Sequence, residues 1–400
     1  MAGPGAFLVG DDERREVGEV LGTGYLSRYG QDEDPRFKRK VISLEAEFAE
    51  RVGVRYCLAA NSGTSAIMAS LVALGIRPGD EILVPGYTFI ASISSVIILG
   101  GKPVLTEIDE SLTMDPDDVE RKITKGTRII MPVHMLGNPC DMDRILEIAG
   151  HYNLTVLEDC CQALGGSYRG RMLGSIGDVG AFSLNVNKTI NSGDGGLITT
   201  NDRELYERAF GFHDQGHLPL RLGVEIGRRS LIGIDLRMNE LTGAFALGQL
   251  KKLDMIVALL KEKKRKFKEA ILEGGTGNME FRKINDPGEC ATLLTVLFKD
   301  KATAQRVAQA LGTRTVSESG WHVYNNMEQI LSYVDAHGSR PYRKNMLPQM
   351  DRILGRAINL SVGVVDPGLG ADFGINILSR DEEIKEKAVE FTRIVRPLVE

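Results

Sequence analysis

The stretch "LTVLEDCCQALGGSYRGRMLGSIGDVGAFSLNVNKTINSGDGGLITT" (residues 154–200) contains three short apolar runs separated by polar and glycine-rich segments. The runs are "LTVLED", "VGAFSL" and "GLITT", and they are rich in valine, leucine and isoleucine. Short apolar runs bounded by glycine or aspartate are typical of strands that are buried on both faces, as in a parallel sheet. This stretch therefore predicts several neighbouring buried strands.

The same alternation continues towards the N-terminus. Strand-like "EILVPG", "KPVLTEID" and "RIIMPVHM" alternate with helix-like "EAEFAERVG", "TSAIMASLVAL" and "MDRILEIAGHYN". From about Leu44 to Thr200 this pattern predicts an α/β fold, with a mostly parallel sheet covered by helices on both faces. Such sheets bind ligands at the carboxyl ends of their strands, where we expect Asp159 and the turns after "VGAFSL" and "EILVPG".

The C-terminal part of the sequence has a different organisation. After Gly233 the pattern becomes helical and then strongly charged, and Gly274 and Gly275 are expected to end these helices. The remainder mixes strand-like "ATLLTVLF" with helix-like "ATAQRVAQALG" and "SRDEEIKEKAVEFTRIVRPLVE". We predict a large domain over residues 1–261, including an N-terminal arm, and a smaller α+β domain over residues 262–400.

The composition excludes several classes of protein. The net charge of −5 disfavours a nucleic-acid partner, because phosphate backbones attract basic proteins. No apolar run approaches the roughly 20 residues of a membrane helix, and the N-terminus lacks the features of a signal peptide. The five cysteines show no CxxC spacing and form no even framework, so neither zinc nor disulfides are predicted. We expect a cytoplasmic protein without a metal site or a membrane partner.

Gly63, Thr64 and Ser65 immediately precede an apolar helical segment. The first N–H groups of a helix are unpaired and carry partial positive charge, so this position suits a phosphate group. An ordinary helix N-cap is the alternative interpretation.

Asp159 stands at the end of a predicted buried strand, where a carboxylate needs a partner. It could cap the following helix, or it could face the protonated nitrogen of a pyridine-type cofactor. Gln162 lies about one helical turn further on and could donate to a ring oxygen.

Lys188 lies between two asparagine-bearing turns and just ahead of the flexible segment "GDGG". A desolvated lysine can form a Schiff base, whereas a solvated surface lysine is the alternative. Ser183 ends the preceding strand, and Phe89 could stack on a flat ring or belong to the core. In the chain order Thr64, Phe89, Asp159 and Lys188, these groups together match the chemistry that pyridoxal phosphate needs.

Longer sequence blocks carry a resemblance to a known family. The blocks are "SGTSAI", "GDEILVPGYTFIAS", "RIIMPVHMLGNPCDMDRI", "LEDCCQALGGSYRGRMLGSIGDVGAFSLNVNK", "GDGGLITTND" and "DLRMNELTGAFALGQL". In combination they resemble the DegT/DnrJ/EryC1/StrS aminotransferases, which use pyridoxal 5'-phosphate to aminate keto sugars and cyclitols. The run "FSLNVNKTI" and the later element "DQGH" are similar to the branch that makes 8-amino-3,8-dideoxyoctulosonate.

The resemblance implies a fold of the aspartate-aminotransferase type (fold type I), with a seven-stranded, mostly parallel sheet in the large domain, a smaller C-terminal domain and a homodimer. It also implies a role for each matching residue. These are a Schiff-base lysine at Lys188, a ring-nitrogen carboxylate at Asp159, a ring-oxygen partner at Gln162, a stacking ring at Phe89, and a phosphate site at Thr64, Ser65 and Ser183, next to Gly63.

The activity that the resemblance implies is transfer of an amino group from glutamate or glutamine to a keto sugar or keto cyclitol, in antibiotic or surface-glycan biosynthesis. Two alternatives stay open at this point. One is a dehydration or an aminohydroxybenzoate-synthase-like reaction with the same cofactor. The other is a non-catalytic family member that acts as a partner or sensor.

Two departures from the family pattern affect the expected site. The asparagine of the usual G-x-N-x-R run is replaced by Asp235, whose carboxylate would repel a phosphate unless it pairs with Arg237 or Arg228. The segment before Lys188 reads "NVN" instead of the commoner proline-threonine form, which is expected to reshape the substrate side. Four further residues are interpreted as loop and rim positions near the substrate: His213, His217, Trp321 and His322.

Overall fold

The computed structural model describes residues 3–219, 229–275 and 277–399. Its strands are β1 (Tyr56–Ala60), β2 (Glu81–Pro85), β3 (Lys102–Thr106), β4 (Thr127–Ile130), β5 (Thr155–Asp159), β6 (Ser167–Tyr168), β7 (Arg171–Met172), β8 (Val179–Ser183), β9 (Gly196–Thr200), β10 (Met279–Phe281), β11 (Leu293–Phe298) and β12 (Ala357–Ser361).

The α-helices are α1 (Asp11–Thr23), α2 (Lys40–Val52), α3 (Gly63–Ala73), α4 (Ile90–Ile98), α5 (Pro116–Lys122), α6 (Met142–Tyr152), α7 (Arg203–His213), α8 (Glu240–Leu250), α9 (Leu253–Glu273), α10 (Lys301–Ala310), α11 (Glu328–Leu331), α12 (Pro348–Gly355) and α13 (Asp381–Val399). None of the described helices is long and apolar enough to cross a membrane.

Seven strands form the large sheet in the order β1-β9-β8-β5-β4-β2-β3. The pairs from β8 to β3 are all parallel, whereas β9 runs antiparallel to both of its neighbours. The prediction of an α/β fold with a mostly parallel sheet is confirmed. Because β5 and β8 are parallel neighbours, their carboxyl ends, Asp159 and Ser183, lie at the same edge of the sheet.

All six apolar runs that were interpreted as strands in this sheet are strands in the structure. The seventh strand, β1, was not predicted, because its sequence "YCLAA" is short and carries three small side chains. Its edge position is fixed by pairing with β9, where Tyr56 lies opposite Thr200. Strand β1 leads directly to Ser62, which caps α3 by accepting the Ser65 N–H at 3.1 Å.

The second sheet is antiparallel, in the order β10-β11-β12. It contains the predicted strand "ATLLTVLF" and is accompanied by α10 and α13, which follow the predicted helical segments. The long helix α9 ends as expected at the glycine pair, where Gly275 adopts a left-handed φ of 79°. The proposed domain boundary at residues 261/262 lies inside α9 and stays a prediction.

Candidate active site

A cavity of about 380 Å³ lies at the carboxyl ends of β5 and β8, beside the N-terminus of α3. All the predicted cofactor residues except Ser65 line this cavity: Gly63, Thr64, Phe89, Asp159, Gln162, Ser183 and Lys188. The fold thus brings together residues that are far apart in the sequence. Residues from the second sheet and its loops close the other side, among them Thr292, His322 and Asp366.

The first turn of α3 provides unpaired hydrogen-bond donors at one end of the cavity. In the described chain, the N–H groups of Gly63 and Thr64 and the Thr64 hydroxyl donate to no other group. A Cβ atom on Gly63 would lie 2.6 Å from Ser183 Cβ, so Ser183 approaches this turn only because residue 63 is glycine. Ser183 Oγ accepts the Asn185 N–H at 3.3 Å and keeps its own hydrogen free. These donors form a site for an anion.

Ser65 does not line the cavity, and its side chain is buried. Its hydroxyl donates to Asn61 Oδ1 at 2.6 Å, and its N–H donates to Ser62 Oγ. The single hydroxyl hydrogen of Ser65 is therefore committed to Asn61. In this structure Ser65 stabilises the turn that carries the free donors, and its predicted contact with phosphate stays a prediction.

The carboxylate of Asp159 is buried and surrounded by donors. Its Oδ2 accepts a hydrogen bond from Ser92 at 2.7 Å, and its Oδ1 accepts the Cys161 N–H at 3.1 Å. Ser92 Oγ also lies 2.7 Å from Thr88 Oγ1, and Thr88 must be the donor there because the Ser92 hydrogen points to Asp159. A carboxylate has about four lone-pair positions, so Asp159 can accept one more donor from the cavity.

Gln162 is oriented by a loop that has an unusual backbone conformation. Its Oε1 accepts the N–H of Leu136, which adopts a left-handed φ of 56°. A backbone N–H can only donate, so the side-chain NH₂ of Gln162 is the group left for the cavity. The carbonyl of Leu136 accepts hydrogen bonds from Arg282 at 2.9 Å and from Thr292 at 3.3 Å. The β10–β11 region thereby fixes a loop of the large sheet.

Lys188 projects into the cavity from a turn in which its N–H donates to the Asn185 carbonyl at 2.9 Å. Its Nζ forms no hydrogen bond or ion pair with any described residue. Burial lowers the pKa of Lys188, and the nearby Cys161, Asp159 and Asp366 oppose this only in part. A neutral amine is favoured by this environment, as a nucleophile or a base requires. The alternative of a solvated surface lysine does not fit.

Phe89 is 40% exposed and lines the cavity, so it is not a core residue. Its ring centroid lies 5.4 Å from that of His322 and 6.5 Å from that of Trp321. Two backbone hydrogen bonds hold the segments together, because the carbonyls of His322 and Trp321 accept from Thr88 and Ile90. The position of Phe89 is thus coupled to that of His322.

Asp235 points to Arg237, one of the two partners expected for it. Arg237 Nη2 lies 2.6 Å from Asp235 Oδ2, and the same guanidinium also pairs with the fully buried Asp214. Arg228, the other expected partner, lies outside the described residues. The carboxylate that replaces the family's asparagine is therefore paired within its own chain, with a guanidinium that it shares with Asp214.

The sequence model of the DegT/DnrJ/EryC1/StrS aminotransferase family matches residues 9–365. The chain belongs to this family. The GDP-perosamine synthase of Caulobacter vibrioides is 40% identical to it over 247 residues, or 61% of this chain and 62% of the relative. An L-glutamine:2-deoxy-scyllo-inosose aminotransferase of Streptoalloteichus tenebrarius is 36% identical over 57% of this chain and 56% of the relative. The matches thus span less than two thirds of the length of these relatives.

Solved structures of similar proteins superpose on almost the whole length of this chain. An aminotransferase from Psychrobacter cryohalolentis superposes with a TM-score of 0.80 at 29% identity, over 98% of both chains. DesV of S. venezuelae, solved with a ketimine intermediate, superposes with a TM-score of 0.75 at 28% identity, over 97% of this chain and 94% of DesV. The expected aspartate-aminotransferase-type fold of this family member is confirmed.

The interpretation of the histidines was wrong for two positions. His213 and His217 do not line the cavity of this family member and are buried. His213 has both ring nitrogens occupied, since Nδ1 donates to the Phe210 carbonyl and Nε2 accepts from Arg28 at 3.0 Å. Burial and the Arg28 charge lower the pKa of His213 to about 3. It is a structural residue, and of these histidines only His322 reaches the cavity.

A second buried polar cluster lies next to the site. His134 Nδ1 accepts the Cys140 N–H at 3.0 Å, so its Nε2 carries the hydrogen that points to Glu158 at 3.2 Å. The Glu158 carboxylate also accepts the N–H groups of Gly174, Ile176 and Gly177. These donors occupy the lone pairs that a metal ion would need. The cluster stabilises the β5 strand that carries Asp159.

Proposed function

We propose that this chain is a pyridoxal-phosphate-dependent aminotransferase that transfers an amino group from glutamate or glutamine to a keto sugar or keto cyclitol. The observation that carries the proposal is one cavity in which a lysine with a lowered pKa, an aspartate oriented by two donors and an anion site meet. The names of the relatives, a GDP-perosamine synthase and an inosose aminotransferase, support this class of substrate.

The donors and acceptors in the cavity fit the shape and charge of this cofactor. The free N–H groups of Gly63 and Thr64 and the hydroxyls of Thr64 and Ser183 suit a phosphate. At the other end, Asp159 can accept from a protonated ring nitrogen, and the amide of Gln162 can donate to a ring oxygen. Pyridoxal phosphate, when bound, supplies an aldehyde that condenses with amines and a protonated pyridine ring that draws electrons from them.

Residues of this chain would then hold and transfer the protons of the reaction. Asp159 would hold the proton on the ring nitrogen, because its oriented carboxylate can accept a hydrogen bond from that N–H. Lys188, whose lowered pKa favours the amine form, would bind the cofactor and later remove the proton from the α-carbon of the amino donor. Since Lys188 Nζ has no partner among the described residues, it can move between these two tasks.

The homodimer expected from the resemblance is also part of the proposal. Ile232 and Ile234, which precede Asp235, are 95% and 47% exposed. Such exposed apolar side chains are typical of surfaces that contact another protein, and they support this proposal.

The alternatives receive less support. The non-catalytic interpretation depended on a repulsive Asp235 carboxylate, and the ion pair with Arg237 reduces that repulsion. Dehydration is tested by the product, because only transamination adds nitrogen to the substrate.

The first experiment is the near-visible absorption spectrum of the protein with pyridoxal phosphate, followed by addition of glutamate or glutamine. A yellow band that the amino donor bleaches, and that Lys188→Ala lacks, is expected. The product formed from 2-deoxy-scyllo-inosose is then identified by mass spectrometry. No band at saturating cofactor would overturn the proposal, and a nitrogen-free product would favour the dehydratase.

A further inference from the structure

The cavity wall opposite the anion site presents two buried acceptors that the proposed transamination leaves unused. His322 and Asp366 both line the cavity, and they are only 6% and 7% exposed. Each has one hydrogen-bonding atom paired inside the protein and one atom left over. Because both residues line the cavity, the two unpaired atoms are available to a bound ligand.

The ring of His322 is held in one tautomer. Ser319 Oγ lies 3.1 Å from His322 Nδ1 and donates its only hydrogen to the Gly368 carbonyl. It must therefore accept from His322 Nδ1–H, which leaves Nε2 with a free lone pair. Within the described chain Nε2 has no partner. Burial, together with the nearby Lys188, lowers the pKa of His322 to about 3, so the ring stays neutral.

Asp366 is fixed by the same short turn. Its Oδ1 accepts the Gly368 N–H at 2.8 Å, whereas Oδ2 has no hydrogen bond to any described residue. Gly368 thus binds Asp366 through its N–H and Ser319 through its carbonyl. The two acceptors are therefore positioned relative to each other by one residue, as a two-point recognition site requires.

The two hydrogen-bond acceptors, His322 Nε2 and Asp366 Oδ2, favour a ligand that carries hydrogen-bond donors. The hydroxyls of a sugar or cyclitol ring are such donors, and hydrogen bonds to a charged acceptor are the stronger ones. Glutamate and glutamine have no hydroxyl, and their carboxylate would be repelled by Asp366. We propose that His322 Nε2 and Asp366 Oδ2 accept hydrogen bonds from ring hydroxyls of the keto substrate and so distinguish it from the amino donor. This inference rests on the proposed function.

The test is Asp366→Asn, which keeps the shape of the side chain. Asparagine can still accept the Gly368 N–H with its oxygen, and it then turns an NH₂ donor towards the cavity. The keto probe is whichever of 2-deoxy-scyllo-inosose and GDP-4-keto-6-deoxymannose the unchanged enzyme aminates with the higher kcat/KM. We expect KM for this probe to rise at least about tenfold, while KM for glutamine does not rise.

A second pair of variants tests His322. His322→Phe keeps a ring against Phe89 but removes the acceptor, and it is expected to raise KM for the keto probe by a similar factor. His322→Gln places an amide oxygen near the position of Nε2 and is expected to restore most of the affinity. Asp372→Asn, at an exposed position of the same loop outside the cavity, is the matched control and is expected to leave both KM values unchanged.

The outcomes separate the two proposals. If the unchanged enzyme aminates neither probe, the proposed function fails and this inference fails with it. If a probe is aminated and Asp366→Asn changes its KM less than about twofold, or raises both KM values equally, only this inference is overturned.

Discussion

The hydroxyl of Ser92 donates a 2.7 Å hydrogen bond to Oδ2 of Asp159, and it accepts a hydrogen bond from the hydroxyl of Thr88. A residue of helix α4 therefore orients the carboxylate that ends strand β5. Neither serine nor threonine has a charge to contribute, so this contact works by fixing the direction of the Asp159 lone pairs.

Removal of this hydroxyl is expected to affect the cofactor more than the fold. Ser92→Ala leaves Asp159 without its Oδ2 donor, and we expect kcat/KM to fall about tenfold, which corresponds to about 1.4 kcal/mol. Steady-state kinetics and the dissociation constant of pyridoxal phosphate measure the effect. Ser95→Ala on the same helix is the control, because Ser95 Oγ is buried and has no hydrogen-bond partner among the described residues. Equal effects of the two substitutions would contradict the role given to Ser92.

The anion site is expected to fail when a methyl group is added to Gly63. The new Cβ would lie 2.6 Å from Ser183 Cβ, so either the helix start or Ser183 must move. We expect Gly63→Ala to weaken the binding of pyridoxal phosphate at least about tenfold and to cost about 1–3 kcal/mol of stability. Fluorescence titration of the cofactor and urea unfolding measure the two losses.

Gly18→Ala provides the comparison for that prediction. Gly18 lies in α1, where an added Cβ would have no atom of the described residues within 4 Å. This substitution is expected to stabilise the protein by about 0.5–1 kcal/mol and to leave cofactor binding unchanged. Full cofactor affinity in Gly63→Ala would show that the close contact with Ser183 does not shape the phosphate site.

Lys188 is expected to reduce the stability of the cofactor-free protein in a pH-dependent way. Burial lowers its pKa below the usual 10.5, so protonation of Lys188 costs free energy in the folded state relative to the unfolded state. That cost is fully present below the folded-state pKa and disappears above the unfolded-state pKa. Lys188→Met should therefore raise the free energy of unfolding near neutral pH, and the gain should shrink as the pH approaches 10.5.

Urea unfolding of the cofactor-free protein at a series of pH values checks this trend. Lys125→Met, at an exposed position, serves as the control and should show no such gain. A constant difference between Lys188→Met and the unchanged protein across the pH series would mean that the lysine is not desolvated.

Arg282 is expected to be needed for the loop that orients Gln162. Its guanidinium donates to the carbonyls of Met135 and Leu136 at 3.2 and 2.9 Å and is almost fully buried. Arg282→Met removes one donor from each carbonyl, which then keep only the Asn138 N–H and the Thr292 hydroxyl, and we expect a loss of about 2–4 kcal/mol in stability.

Thermal and urea unfolding measure the Arg282 effect, with Arg265→Met on the exposed face of α9 as the control. Arg265 forms a surface pair with Glu269, and such pairs contribute about 0–1 kcal/mol. If the two variants lose equal stability, the buried hydrogen bonds of Arg282 do not hold the loop.

The sequence predicted those parts of the molecule that follow a local pattern. Six strands were recognisable because their sequences are rich in apolar side chains on both faces. Strand β1 was not recognised, because "YCLAA" is short and carries few large apolar side chains. Lys188 and Asp159 could be predicted since each stands beside a recognisable strand or glycine segment.

The other side of the cavity had a weaker local signal. His322 was expected near the substrate, whereas Asp366 was given no role, because both lie in irregular segments that tertiary packing brings next to Lys188. The contribution of Ser65 was also beyond local reasoning, because a hydroxyl before a helix can face a ligand or, as here, the Asn61 side chain. Which of these partners a hydroxyl group binds depends on the folded structure and cannot be read from the sequence.

The edge pairing of β1 with β9 has a consequence for how the molecule assembles during synthesis. Tyr56 lies opposite Thr200, so β1 can pair with β9 only after the chain has been synthesised as far as residue 200. Pairings between distant segments close large loops and form slowly. The lysine turn lies between β8 and β9, so it directly precedes the strand that pairs with β1. Capture of the cofactor should therefore be a late event in folding, after most of the large sheet has left the ribosome.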